Sequence, residues 1–151
     1  NMKIDKIQKI KNKVVGDVEE NHFNSIKSLS DGQTLSVSNV GDDMYNIHIN
    51  EKCLGMKDGK LNVKKCSGDD NMKFSINNIT NQSDYNEHIK DENFRVNENS
   101  GIFYPFDLVK YQEKCVGING NNIFIDDCND NKNQRYRASK IMKDCDRFSN
   151  L

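Results

Sequence analysis

One short segment of this chain carries residue types that could hold a sugar. Residues 123–127 read Ile-Phe-Ile-Asp-Asp, so on a strand Phe124 and Asp126 share the face opposite the two isoleucines. Asn133 and Gln134 follow on the next loop. An aromatic ring can stack on a sugar, and carboxylate and amide groups can direct hydrogen bonds to its hydroxyls. These four residues therefore predict a carbohydrate-binding site. In a plainer interpretation Phe124 covers an apolar patch and the polar groups are solvated.

Four of the five cysteines form two pairs with the same spacing. Cys53 and Cys66 are as far apart as Cys115 and Cys128. Matched pairs predict two disulfides, Cys53–Cys66 and Cys115–Cys128, and therefore an oxidising compartment. Zinc is the competing interpretation, but no Cys-x-x-Cys and no two histidines at ligand spacing are present. The fifth cysteine, Cys145, fits a link to another chain, a free thiol, a buried inert residue or a partner beyond this sequence.

No group of residues predicts catalysis or metal binding. The three histidines are scattered along the chain and match no Ser or Cys nucleophile. Residues 127–138 superficially resemble a calcium loop, but Lys132 and Ala138 stand where that loop needs Gly and Glu. We therefore expect a protein that is not an enzyme and uses no metal or cofactor.

The candidate residues belong to a unit that occurs twice. Met44–Ile76 matches Phe106–Ala138 without a gap, at a constant offset of 62 residues. Gly55 aligns with Gly117, and the apolar positions stay apolar. A gapless repeat of this kind is typical of closed β repeat architectures. The predicted core includes Leu54, Val63, Phe74, Val116, Ile125 and Tyr136.

Within each copy, short alternating segments predict strands. Asp58-Gly59 and Asn119-Gly120 predict tight hairpin turns, because these dipeptides accept a positive φ. Each copy thus contains a strand, a Cys-bearing strand, a turn, a strand that ends in Cys, a loop and a final strand.

Both ends of the chain differ from the repeat. Residues 2–29 predict a helix, because apolar residues recur at every third and fourth position. Its stripe is formed by Ile4, Ile7, Ile10, Val14 and Val18, with Phe23, Ile26 and Leu29 as an extension. Such a stripe packs on its own domain or on a partner, or lies on a membrane surface. Residues 141–151 predict a short tail or helix, so the expected units are 1–30, 31–140 and 141–151.

Length and charge limit the classes of function. The 151 residues suffice for one domain with its own core. A net charge of −1 argues against a dedicated nucleic-acid binder, which usually carries a basic excess. No apolar run approaches the roughly 20 residues that span a bilayer.

Each copy resembles a lobe of the ricin-type β-trefoil, the R-type lectin family. The second copy shows the family pattern as Cys115-Val116, a strand that ends at Cys128, and Asn133-Gln134-Arg135-Tyr136. The resemblance implies an all-β fold, a ricin-type β-trefoil with an N-terminal amphipathic helix and a short C-terminal tail or helix. A trefoil has three lobes. We expect the third, degenerate lobe in 77–105; the alternative is 22–43, with 77–105 as an insertion.

The departures from the family pattern leave two functions open. Sugar-binding lobes of the family carry Asp where this chain has Gly55 and Gly117, and an aromatic where it has Lys64 and Asp126. One hypothesis is a secreted or surface lectin or adhesin that binds a glycan or glycoprotein through its second copy. The other is a degenerate trefoil that contacts a protein through its N-terminal helix or Cys145. Neither needs nucleic acid or a transmembrane segment.

Overall fold

A computed structural model describes residues 2–3, 22–89 and 103–140, which form an almost entirely β structure. The strands are β1 (Met2–Lys3), β2 (Phe23–Ser28), β3 (Thr34–Asn39), β4 (Met44–Ile49), β5 (Lys52–Lys57), β6 (Lys60–Lys64), β7 (Phe74–Ile79), β8 (Phe106–Tyr111), β9 (Lys114–Asn119), β10 (Asn122–Asp127) and β11 (Tyr136–Lys140). A helix, α1 (Gln82–His88), lies between β7 and β8. Single 3-10 turns span Asp70–Met72 and Lys132–Gln134.

Six of these strands close into a barrel. Antiparallel pairing runs from β2 to β3, β4, β7, β8 and β11, and β11 pairs again with β2. Closure leaves no free edge within this circle of strands. The other strands form two hairpins, β5–β6 and β9–β10, and β1 adds to the outer edge of β10. A closed six-strand barrel with hairpins attached is a β-trefoil-like architecture.

The barrel and hairpins divide into lobes that follow the sequence repeat. The first lobe comprises β4–β7 and the second comprises β8–β11, and each strand of the second starts 62 residues after its partner. Between β11 and the first lobe only β2 and β3 remain, joined by residues 29–33. This pair, the short lobe, supplies two barrel strands and no hairpin.

Two predictions for the N-terminal half are wrong. The expected third lobe at 77–105 is instead the end of β7 followed by α1, whereas the alternative at 22–43 coincides with the short lobe. Residues 23–28 are a strand and not the end of a helix, so the β domain begins before residue 31. The misleading feature is the three-residue spacing of Phe23, Ile26 and Leu29. In the strand, Ile26 and Ser28 are the buried residues, as alternation requires. The predicted stripe between Ile4 and Val18 and the tail 141–151 lie outside the described residues.

Tight turns connect the strands of both hairpins. Lys57 pairs with Lys60, which leaves Asp58 and Gly59 at the tip with φ of 52° and 76°, as predicted. In the second lobe Asn119 pairs with Asn122, so the turn residues are Gly120 and Asn121. This turn is therefore one residue later than Asn119-Gly120.

The barrel interior holds the main apolar core. Leu54, Phe74, Val116 and Tyr136 are buried as predicted. The Tyr136 hydroxyl donates to the Val116 carbonyl at 2.9 Å, and burial raises its pKa above the usual value. The remaining two predicted core residues, Val63 and Ile125, are only half-buried at the core edge, because they face clefts between lobes.

The insertion between the two complete lobes covers one of the two disulfides. Both predicted disulfides are present, Cys53–Cys66 and Cys115–Cys128. Tyr85 and Ile89 of the insertion share a second apolar cluster with the Cys115–Cys128 pair, together with Phe106. No such cover lies over the first pair within the described residues, and Cys66 is half-exposed.

Candidate functional site

The tip of the first-lobe hairpin faces the base of the second lobe across a cleft. Its volume is about 480 Å³, and we refer to it as the tip cleft. The lining residues are Met56, Asp58, Gly59, Tyr111, Gln112, Lys114, Ile125 and Asp126. The lining therefore combines an aromatic ring, two aliphatic side chains, two carboxylates, an amide and an ammonium group.

Asp126 is the one predicted site residue in this cleft. It is exposed at the end of β10, and one of its carboxylate oxygens accepts the Asp127 backbone amide at 2.8 Å. The other oxygen accepts no hydrogen bond from the described part of the chain. Nearby, Asp127 forms an ion pair with Lys114 at 2.5 Å. The hydrogen bond and charge of Asp127 raise the pKa of Lys114, with a smaller contribution from Asp126.

Phe124 shares the outer face of β10 with Asp126 but is turned toward its own hairpin. It pairs across the hairpin with Gly117, and a Cβ atom on Gly117 would lie 2.3 Å from Phe124 Cζ. The ring thus occupies the space above the glycine where the family's sugar-binding lobes carry Asp. In the first lobe the matching partners are Gly55 and Asn62, so this contact is specific to the second lobe.

The two predicted amides do not join Asp126 in the tip cleft. Gln134 is fully buried, its Nε2 donates to the Asp127 carbonyl at 3.0 Å, and its Oε1 accepts the Asn129 amide at 2.9 Å. Both ends of this side chain fix the loop before β11, so the predicted sugar contact by Gln134 is wrong. Asn133 is half-buried, and its Oδ1 accepts no hydrogen bond from the described residues.

Tyr111 and Gln112 were not predicted as site residues. Tyr111 is half-buried, its ring centroid is 5.7 Å from that of Phe74, and its hydroxyl has no hydrogen bond within the described ranges. Gln112 is exposed in the turn after β8, with a φ of 54°. A sequence signal for Tyr111 exists, because the repeat places Ile49 at the matching position and the polar hydroxyl breaks that pattern.

His48 lies against the disulfide of the first lobe. Its Nδ1 is 3.6 Å from Cys53 Sγ and 3.8 Å from Cys66 Sγ, and its Nε2 is 2.8 Å from Ser38 Oγ. Burial lowers the pKa of His48. The three groups are close enough to hold a metal ion. Because a metal needs thiolates and these sulfurs are oxidised, they do not form a metal site while the disulfide is intact.

The comparisons with known proteins give similar folds and no family. No protein-family model and no curated protein matches the sequence. Among solved structures, a designed threefold symmetric protein, ThreeFoil, is 14% identical with a TM-score of 0.41, over 83% of this chain and 88% of that one. SeviL bound to asialo-GM1 saccharide is 14% identical with a TM-score of 0.43, over 83% of this chain and 94% of that one. The fold assignment rests on the strand circle and the repeat. Among the described residues no helix is both long and apolar enough to cross a membrane.

Proposed function

We propose that this chain is a glycan-binding module of the ricin-type β-trefoil class and that the saccharide binds in the tip cleft. The observation that carries the proposal is the composition of that cleft, in which Tyr111 lies beside Asp126 and Gln112. Ligand sites combine an apolar surface with a few polar groups that fix orientation. The family resemblance of both lobes supports the same class of ligand.

Each side chain has a distinct role in this proposal. The Tyr111 ring, held from behind by Phe74, offers an apolar surface to the hydrophobic face of a sugar. Asp126 and Asp58 accept hydrogen bonds from sugar hydroxyls. Gln112 can donate through its NH2 group and accept through its carbonyl oxygen. Lys114 is already paired with Asp127, so the cleft carries more free acceptors than free cations.

This mode differs from the usual one in the family. The usual position on the second lobe has Gly117 in place of the family's Asp, and the Phe124 ring fills the space above it. A neutral glycan bound between lobes requires neither that Asp nor the missing aromatic. Asp126, which takes the place of the missing aromatic, would then contribute a hydrogen bond instead of a stacking surface.

The proposal includes a non-enzymatic role outside the cell. Two disulfides within one small domain are typical of proteins from oxidising compartments. The tip cleft contains no His, Ser or Cys among its lining residues, so it offers no nucleophile–base pair. Binding, and not turnover, is therefore the activity to measure.

A glycan array followed by calorimetric titration of the strongest hit tests this proposal. Losing a buried hydrogen-bonding partner costs about 1–3 kcal/mol, so Asp126→Asn should weaken binding about tenfold or more. Asp127→Asn is the matched control, because Asp127 is exposed on the same strand and does not line the cleft. Equal losses in the two variants would disprove the tip cleft as the site.

A degenerate trefoil that contacts a protein is the second candidate. The observation in its favour is the Phe124 ring on Gly117, which closes the family's usual sugar position on the second lobe. The proposed connectors, the N-terminal stripe and Cys145, lie outside the described residues. A glycan array without any hit competed by free sugar would favour this candidate, and deletion of residues 1–20 would then test its partner surface.

A further inference from the structure

The missing hairpin of the short lobe leaves the base of the first lobe uncovered. In the second lobe the hairpin tip contacts the short lobe: the Gly120 amide donates to Asp31 Oδ2 at 3.1 Å, and Gln33 Nε2 donates to the Gly120 carbonyl. The first-lobe tip likewise faces the second lobe across the tip cleft. The short lobe has only residues 29–33 in place of a hairpin, so no tip reaches the first lobe.

A second cleft of about 730 Å³ lies at this uncovered base, and we refer to it as the basic cleft. Its lining residues are Lys52, Val63, Lys64, Lys65, Cys66, Ser67, Asp69, Asn71 and Met72. All three lysines are exposed. None of them is within ion-pair distance of a carboxylate in the described ranges, and Asp69 is the single acidic residue of the lining. The cleft therefore has an excess of positive charge.

The repeat shows that this charge is a property of the first lobe alone. Positions 64 and 65 are both Lys, whereas the matching residues of the second lobe are Asp126 and Asp127. In the second lobe Asp127 neutralises Lys114, but in the first lobe Lys65 is placed beside Lys52, the counterpart of Lys114. Like charges on neighbouring strands destabilise a hairpin. An anion in the cleft would remove that repulsion.

We propose that the basic cleft binds a sulfated polysaccharide through Lys52, Lys64 and Lys65. Lysine ammonium groups act as separate point charges, which suits sulfate groups spaced along a flexible chain. The lining contains no aromatic side chain on which a nucleic-acid base could stack. The two hydroxyl and amide side chains of the lining, Ser67 and Asn71, lie where they can meet sugar hydroxyls. The proposal concerns a site separate from the tip cleft and holds whether or not a glycan binds there.

Calorimetric titration with a heparin oligosaccharide at several salt concentrations tests the proposal on the full chain. An exposed ion pair contributes modestly, so Lys64→Gln/Lys65→Gln should weaken binding about five- to thirtyfold. Because each lost charge contact releases fewer counterions, the slope of log affinity against log salt should fall by nearly two. Lys64→Asp/Lys65→Asp, which copies the second lobe, should abolish binding.

Lys57→Gln/Lys60→Gln is the matched control. These two lysines are exposed and paired at the tip of the same hairpin, but they do not line the cleft. An equal loss in this variant, or wild-type protein that does not bind heparin at low salt, would overturn the proposal. Equally tight binding of polyglutamate would overturn the assignment to a sulfated saccharide. Circular dichroism of each variant confirms that it is folded, so a loss of binding is not a loss of structure.

Discussion

Substitution of Gly117 by Ala should destabilise the second lobe through one side chain, Phe124. The new Cβ would lie 2.3 Å from Phe124 Cζ and 2.7 and 2.8 Å from its Cε2 and Cε1 atoms, so the ring must leave its place. Overpacking of this kind costs about 1–3 kcal/mol. Replacement of Gly within a strand returns about 0.5–1 kcal/mol. We expect a net loss of about 1–2 kcal/mol in the free energy of unfolding, measured by urea denaturation with the disulfides intact.

A double-mutant cycle isolates the contact between the two residues. With Phe124→Ala already present the clash is absent, so Gly117→Ala should stabilise the protein by about 0.5–1 kcal/mol. Gly55→Ala in the first lobe is the control, because its nearest neighbours would be 3.2 Å away and include no aromatic ring. If Gly117→Ala has the same effect with and without Phe124, the ring does not cover the glycine and this reasoning is refuted.

Three further outcomes are expected. Phe74→Ala should lower the free energy of unfolding by about 3–5 kcal/mol, because its ring is fully buried in the barrel core; a cost below 1 kcal/mol in urea denaturation would contradict that placement. Mild thiol treatment should reduce Cys53–Cys66 before Cys115–Cys128, since Cys66 is half-exposed and Cys128 is 7% exposed; mass spectrometry after alkylation reports the order, and the reverse order would be evidence against the cover by the insertion. Burial lowers the pKa of His48, so its contribution to stability is complete above the ordinary value of 6.5 and is lost as the pH falls below it; unfolding midpoints of wild type and His48→Gln should converge toward pH 5, and parallel curves would exclude this linkage.

The repeat made most of the fold predictable. Matched cysteines, alternating apolar residues and the turn at Asp58-Gly59 are local signals, and each of them fixes a strand or a turn without knowledge of the rest. The short lobe has no cysteine and no hairpin, so its sequence carries none of these signals. Phe23 and Ile26 were misread because a spacing of three fits a helix as well as it fits one irregular strand.

The candidate site was less predictable because it forms between lobes. Phe124 and Asp126 were correctly placed on one strand face, which follows from alternation. Whether Gln134 faces solvent or a backbone carbonyl depends on the loop geometry, which the sequence pattern does not specify. Tyr111 meets Asp126 at the tip cleft, and the basic cleft exists because a hairpin elsewhere in the chain is missing.

The pairing of β11 with β2 has a consequence for how the chain folds. This pairing joins Tyr136 to Ser28, residues at opposite ends of the β domain. Contacts of such large sequence separation form late, because the entropy of closing the loop must be met before the contact can form. The two disulfide loops and the hairpins are short and can form as soon as their own residues are available. Each lobe can therefore assemble during synthesis, while the barrel stays open until residue 140 has emerged, with the edges of β2 and of the last completed strand exposed to other chains.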